Sequence, residues 1–142
     1  MTQVVPNRSG ADGDDVVLLA VPASPAYLGV LRTATAGLAA RLQFTLDEIE
    51  DLRIAVDEAC AMLLAIAADT PQLGDTVELS CRFTVTPDAL TVYTTVPLGH
   101  PDERLPGGES FAWQVLSALA DEVQANVDGH QAGIRLTKRR PK

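Results

Sequence analysis

Aromatic side chains are scarce: one Trp, two Tyr and three Phe make up 4% of the 142 residues. The core must therefore be packed from Leu, Val, Ile and Ala. Basic charge is short as well, 11 Lys and Arg against 19 Asp and Glu, for a formal net charge of −8. That balance argues against a protein that grips DNA or RNA by its phosphates, since such binding needs clustered cations to displace counterions. A basic protein partner fits it better. The only basic run, Lys138-Arg139-Arg140 followed by Lys142, reads as the solubilising end of a strand. No apolar run approaches the roughly 20 residues that span a bilayer, and the N-terminus lacks the charged-then-apolar order of a secretion signal, so a cytoplasmic protein is expected. Cys60 and Cys81 have neither CxxC spacing nor accompanying histidines, which leaves no zinc site or disulfide framework and favours buried free thiols over a redox switch.

What is present, 46% hydrophobic and 21% charged residues in a chain of one-domain length, suffices to bury a core without disulfides or metals. Residues 1–14 are polar, rich in Gly, Asp, Asn and Ser and without periodicity, and are expected to be a disordered leader to a single domain over 15–142. Val16 to Val21 is a short apolar run of strand type. Ser24-Pro25 supplies a cap followed by proline at the first helical position, and Leu28, Leu31, Leu38 and Leu42 mark one helical stripe to about residue 43. Thr45 and Glu48 form a capping box for a second helix with the stripe Ile49, Leu52, Val56, Ala59, Leu63 and Ile66, stopped by Pro71.

Thr76 to Val85 and Leu90 to Val96 alternate polar and apolar around a Pro87-Asp88 turn, a predicted hairpin. Pro97 to Glu109 is a Pro- and Gly-rich loop of the length that is usually functional or mobile. A third helix is predicted from Ser110 to about Val123. Two short strands follow, near Val123 to Val127 and Ile134 to Lys138, joined by an Asp128-Gly129 turn. The order βααββαββ predicts an α+β two-layer sandwich, a mostly antiparallel sheet with three helices on one face.

The phrase Leu52-Arg53-Ile54-Ala55-Val56-Asp57-Glu58-Ala59 on the second helix, together with Glu109 to Leu116 and Asp121 to Gln124 near the C-terminus, resembles the RsbW/SpoIIAB-type anti-sigma factors, serine protein kinases of the GHKL ATPase superfamily. The C-terminal half is similar to that of the mycobacterial anti-sigma-F factors. The resemblance covers about residues 16 to 140 and implies a GHKL-type fold. In that family a glutamate at the place of Glu58 is the general base that activates a serine of an anti-anti-sigma protein toward ATP. Taken alone, Glu58 reads as a solvated residue at the edge of the apolar stripe.

The family places asparagine, a magnesium ligand, where this chain has Met62, and magnesium prefers hard oxygen donors to a thioether. The Asp-x-Gly-x-Gly motif has no counterpart at Val96-Pro97-Leu98-Gly99-His100. Gly107-Gly108 resembles part of the glycine-rich lid, with Ser110 and Ala112 where further glycines are expected; without the resemblance it is a flexible connector. Met62, Gly99, Gly107, Gly108 and Ser110 thus mark a degenerate nucleotide site at which magnesium-ATP binding is expected to be weak, altered or absent. No metal ligand set is expected.

Arg32 on the first helix matches the family arginine that contacts both the sigma factor and the competing protein; otherwise it is a solubilising surface residue. His100 and His130 have no acidic or cysteine neighbours at ligand spacing, and Trp113 either packs in the core or lines the vestigial pocket. The resemblance implies a homodimer that sequesters an alternative, stress- or sporulation-type sigma factor and is relieved by an anti-anti-sigma protein through partner switching. An active serine kinase is the alternative, and a sensor domain that lost its sigma partner is a third.

Overall fold

The computed structural model describes residues 14–68, 77–99, 105 and 110–140. Five strands and three α-helices follow the predicted order: β1 (Asp15–Pro22), α1 (Leu28–Arg41), α2 (Leu46–Ala68), β2 (Glu78–Val85), β3 (Ala89–Pro97), α3 (Phe111–Leu119), β4 (Glu122–Asp128) and β5 (Gln131–Arg139). The strands form one antiparallel sheet in the order β1-β2-β3-β5-β4, so β1 and β4 are its edges. Period-two alternation decides the two faces. Leu79, Cys81 and Phe83 of β2, Leu90, Val92, Thr94 and Val96 of β3, and Ala132, Ile134 and Leu136 of β5 are all buried, and the register sets them side by side under the helices.

Among the described residues the opposite face carries no helix. Its central row runs Leu18, Arg82, Tyr93, Arg135, Gln124 in directly paired positions. The Arg135 guanidinium lies 4.7 Å from the centre of the Tyr93 ring, and the Tyr93 hydroxyl donates to Asn126 Oδ1 at 3.1 Å. Gly133 makes room for that ring, since a Cβ there would come within 2.7 Å of it. Leu18 is left 72% exposed at the edge.

Local signals set most element ends. Thr45 N–H donates to Glu48 Oε1 at 2.8 Å and Glu48 N–H to Thr45 Oγ1 at 3.1 Å, the predicted capping box. Ser24 accepts from Ala26 N–H at 3.2 Å, but the turn it opens, Pro25–Tyr27, is a single 3-10 turn, and α1 begins only at Leu28. The end of α1 is a Schellman motif: Gln43 takes the left-handed conformation (φ 62), Gln43 N–H donates to Ala40 O and Phe44 N–H to Ala39 O.

Two predicted boundaries shift. The third helix stops at Leu119 rather than near Val123, because the chain becomes extended at Ala120 and Lys138 Nζ takes the Leu119 carbonyl at 2.9 Å. Val123 continues the helical spacing of apolar residues yet pairs with Leu136 as a strand residue. The last hairpin pairs Asp128 with Gln131, so its two-residue turn is Gly129-His130 instead of Asp128-Gly129, with Gly129 at φ 60. The expected leader, apart from Asp14, and most of the loop from Pro97 to Glu109 lie outside the described residues.

α2 is the centre of the core: Leu52, Ala55, Val56, Ala59, Cys60 and Leu63 have no exposed surface. It packs on α1, on α3 and on β3 and β5. No helix among the described residues is long and apolar enough to cross a membrane. Both cysteines are free and buried. Burial pushes the Cys60 thiol far up from its ordinary value, with Cys81 and Asp57 adding to the push, and pushes the Cys81 thiol up to about 12.

Two outcomes follow from this packing. Ellman's reagent should leave both thiols untouched in the native protein at mildly alkaline pH and label both in concentrated guanidinium; rapid native labelling of either would contradict the burial. Above the ordinary thiol value of 9.0, unfolded chains release protons that the native state retains, so stability should fall as pH rises from there. Thr45→Ala removes the capping hydroxyl of α2 and should lower unfolding free energy by about 1 kcal/mol in urea titrations.

Candidate functional site

α2 buries most of its circumference, and what it leaves outside is one stripe. Ile54, Asp57, Glu58, Ala61 and Ala65 recur at helical spacing and are exposed or half-buried, whereas Val56, Ala59, Cys60, Met62 and Leu63 are buried. Glu58 therefore projects from the outer side of the helix, half-buried, as its place at the stripe's edge predicted. Met62, one turn on, is 6% exposed and belongs to the continuous apolar core.

α1 buries Leu31, Thr35 and Ala39 on consecutive turns. Thr35 satisfies its hydroxyl by donating to Leu31 O at 2.7 Å. Arg32, next to Leu31, is thereby turned along the junction with α2, where its Nε lies 3.1 Å from Asp57 Oδ1. That nitrogen is sealed from solvent and its N–H is aligned on no acceptor, so the contact is an ion pair rather than a hydrogen bond. The two side chains keep 41% and 38% exposure.

Asp57 is a contest between burial and pairing. Loss of hydration raises its carboxyl above the ordinary range, Arg32 and then Arg53 pull it back, and Glu50 adds a smaller upward push; burial prevails. Arg53 is itself held by Glu50 at 3.0 Å on the same helix.

The remaining predicted positions lie elsewhere. Gly99 follows β3, half-buried, one residue after Leu98, whose N–H donates to the His130 carbonyl across the end of the last hairpin. Ser110 caps α3 by accepting from Trp113 N–H at 3.1 Å; its hydroxyl has a structural task. Trp113 is partly buried against the core, and His130 is an exposed turn residue. Gly107, Gly108 and His100 lie outside the described residues. The structure thus brings Arg32 to the residue beside Glu58. Asp57 was missed in the sequence: its position on the outer stripe was readable, but a contact between two helices leaves no local signal.

The donor chemistry does not suit magnesium-ATP through residue 62. A thioether packed in an aliphatic core supplies no hard oxygen for magnesium. Met62→Asn tests that arrangement: burying an amide among apolar neighbours should cost on the order of 1–3 kcal/mol of stability. Magnesium-nucleotide binding, read by calorimetry, should not be gained.

With this geometry in view, residues 21–138 match the family described as the histidine kinase-like ATPase domain. The chain is 44% identical over 78 residues to the serine-protein kinase RsbW of Bacillus subtilis, a match covering 55% of this chain and 47% of that protein. It therefore spans about half the length of such Bacillus relatives. It is 34% identical to the anti-sigma-F factor RsbW of Mycobacterium tuberculosis over 96% of this chain and 80% of that one. A crystal structure of the RsbU and RsbW domains of a Mycobacterium tuberculosis protein superimposes with a TM-score of 0.59 at 14% identity, covering 89% of this chain and 32% of that one, a likeness of fold. Five antiparallel strands under three helices, the helix carrying Asp57-Glu58 and these matches together place the chain in the RsbW family of histidine kinase-like ATPase domains.

Proposed function

We propose that this protein is a cytoplasmic anti-sigma factor: it sequesters an alternative RNA polymerase sigma factor and gives it up when an anti-anti-sigma protein competes for the same surface. What carries the proposal is the contrast between two positions. Where a kinase of the family holds magnesium, Met62 is sunk in the core; where the family meets its protein partners, Arg32 remains accessible and is positioned by a neighbouring helix. An accessible Arg32 and a core-buried Met62 support binding over phosphoryl transfer.

The name and long overlap of the Mycobacterium tuberculosis relative support the assignment. The acidic balance of −8 suits a partner with basic patches. Partner switching then needs no phosphoryl transfer: two proteins with overlapping footprints exchange by mass action, each lowering the apparent affinity of the other. A homodimer holding one sigma factor belongs to the same proposal.

A serine kinase is the second function, favoured by the half-buried Glu58 and by the serine-protein kinase name of the Bacillus relatives. In it Glu58 takes the proton of the attacking serine. Calorimetric titration with the sigma factor encoded nearest to this gene, first without nucleotide and then with magnesium-ATP, separates the two. Tight binding indifferent to nucleotide is the expected result. Binding that requires magnesium-ATP, with phosphate transferred to the anti-anti-sigma protein and abolished by Glu58→Gln, would install the kinase; no binding in either condition would sink the anti-sigma assignment for that partner.

A further inference from the structure

We infer that the uncovered face of the sheet holds a binding site for a small organic phosphate, its phosphate group taken between Arg82 and Arg135 and its apolar part laid on Leu18 and Ala20. The inference stands apart from the anti-sigma assignment. The site lies on the far side of the sheet from α1 and α2 and uses none of their residues.

Two open cavities, of about 390 and 420 Å³, lie side by side on this face and share Arg82 and Tyr93 as a common wall. Both volumes fall in the range of small-ligand sites. The first is polar, with the paired row Thr84, Thr91 and Thr137 beside the row that carries Tyr93 and the two arginines. The second continues over Leu18, Ala20, Ser80 and Thr95. Among the described residues no carboxylate lines either one.

Charge decides what the polar half takes. Arg82 and Arg135 flank Tyr93 in directly paired positions, which sets their backbones about 10 Å apart, two strand spacings. In a protein with 19 acidic residues, neither enters an ion pair among the described residues. Glu122, opposite Thr137 on β4, is itself held by Arg139. Arg135 is steadied by stacking, its guanidinium 4.7 Å from the centre of the Tyr93 ring, and that ring is seated over Gly133 and bonded to Asn126. A stacked guanidinium keeps its N–H edges open to an anion.

The hydroxyls narrow the choice further. Thr91 and Thr137 Oγ1 are 3.2 Å apart, so one donates to the other and the second keeps its proton; among the described residues the Thr84 hydroxyl has no partner. Two guanidinium forks and two spare hydroxyl protons suit a phosphomonoester, a dianion with three terminal oxygens. They exceed what the two oxygens and single charge of a carboxylate can use. Beside them Leu18, 72% exposed, offers an apolar floor for the body of the same ligand. A second copy seated here would instead bring its own unpaired arginines to the same face.

Phenyl phosphate is the probe, titrated into the full chain at fixed ionic strength with EDTA present and followed through amide resonances by heteronuclear NMR. Saturable shifts at Arg82, Thr84, Thr91 and Arg135 are expected, with a Kd on the order of 1 mM for a ligand of this size. Benzoate has the ring but one charge, and inorganic phosphate has the charge but no ring; each should bind at least about 5-fold more weakly. Arg82→Gln and Arg135→Gln, both at exposed positions, should each weaken phenyl phosphate at least about 10-fold, with thermal midpoints showing both variants folded. Four results would overturn the inference: no saturable shift, shifts centred on the start of α3 at Ser110, binding untouched by either variant, or benzoate as tight as phenyl phosphate. So would shifts at these residues that grow with protein concentration alone and vanish in the variants, because a second copy would then occupy the face.

Discussion

Burial of α2 against the sheet is the interaction on which the other parts depend. A 23-residue helix with Leu52, Ala55, Val56, Ala59, Cys60 and Leu63 fully withdrawn from water supplies the floor for α1, the side wall for α3 and the cover for β3 and β5. With aromatics at 4%, this is packing of branched and small aliphatic groups. It tolerates no large void, because removing a buried leucine side chain costs about 2–5 kcal/mol. The demands of that packing also decide which positions remain available for chemistry: only the narrow outer stripe that carries Asp57 and Glu58.

Charge placement follows the same constraint. Lys138, on β5, reaches under the sheet's end to the Leu119 carbonyl at 2.9 Å and stands 3.9 Å from Asp51, tying α3 and α2 to the last strand with a single side chain. Arg139 pairs with Glu122, and its N–H donates to Asp121 Oδ2. The basic run that reads in the sequence as the solubilising end of a strand is thus partly a set of clamps. At the α1–α2 junction burial outweighs pairing for Asp57. Such a half-buried pair adds little to stability.

Legibility in the sequence divided along the distance over which a signal acts. The capping box of Thr45 and Glu48, the alternation of β2 and β3 and the order of elements are written within a few neighbouring residues, and the structure repeats them. Where two local signals competed, tertiary contacts chose: Val123 fits a helical stripe but pairs with Leu136, and Ser24-Pro25 opens a 3-10 turn before α1 settles. For the site, Glu58 and Met62 fell where helical spacing put them. The Arg32–Asp57 pair was invisible because its partners, one on each helix, meet only when the helices pack. Ser110 was read as standing where the resemblance expects a glycine of the lid, and the structure gives its hydroxyl to a helix cap.

The strand order carries a last consequence, for the growing chain on the ribosome. β1 leaves the exit tunnel before the other described strands, yet among the described residues its partner strand is β2, and Pro22 pairs with Glu78 only after both long helices have been made. At about 5–20 residues per second that delay is roughly 3–10 s. During it α1 and α2 can pair locally, while Val17, Leu18 and Leu19 wait without a neighbour. Among the described strands β1 waits longest for its neighbour, and the nascent protein is most vulnerable to association with other chains before β2 arrives.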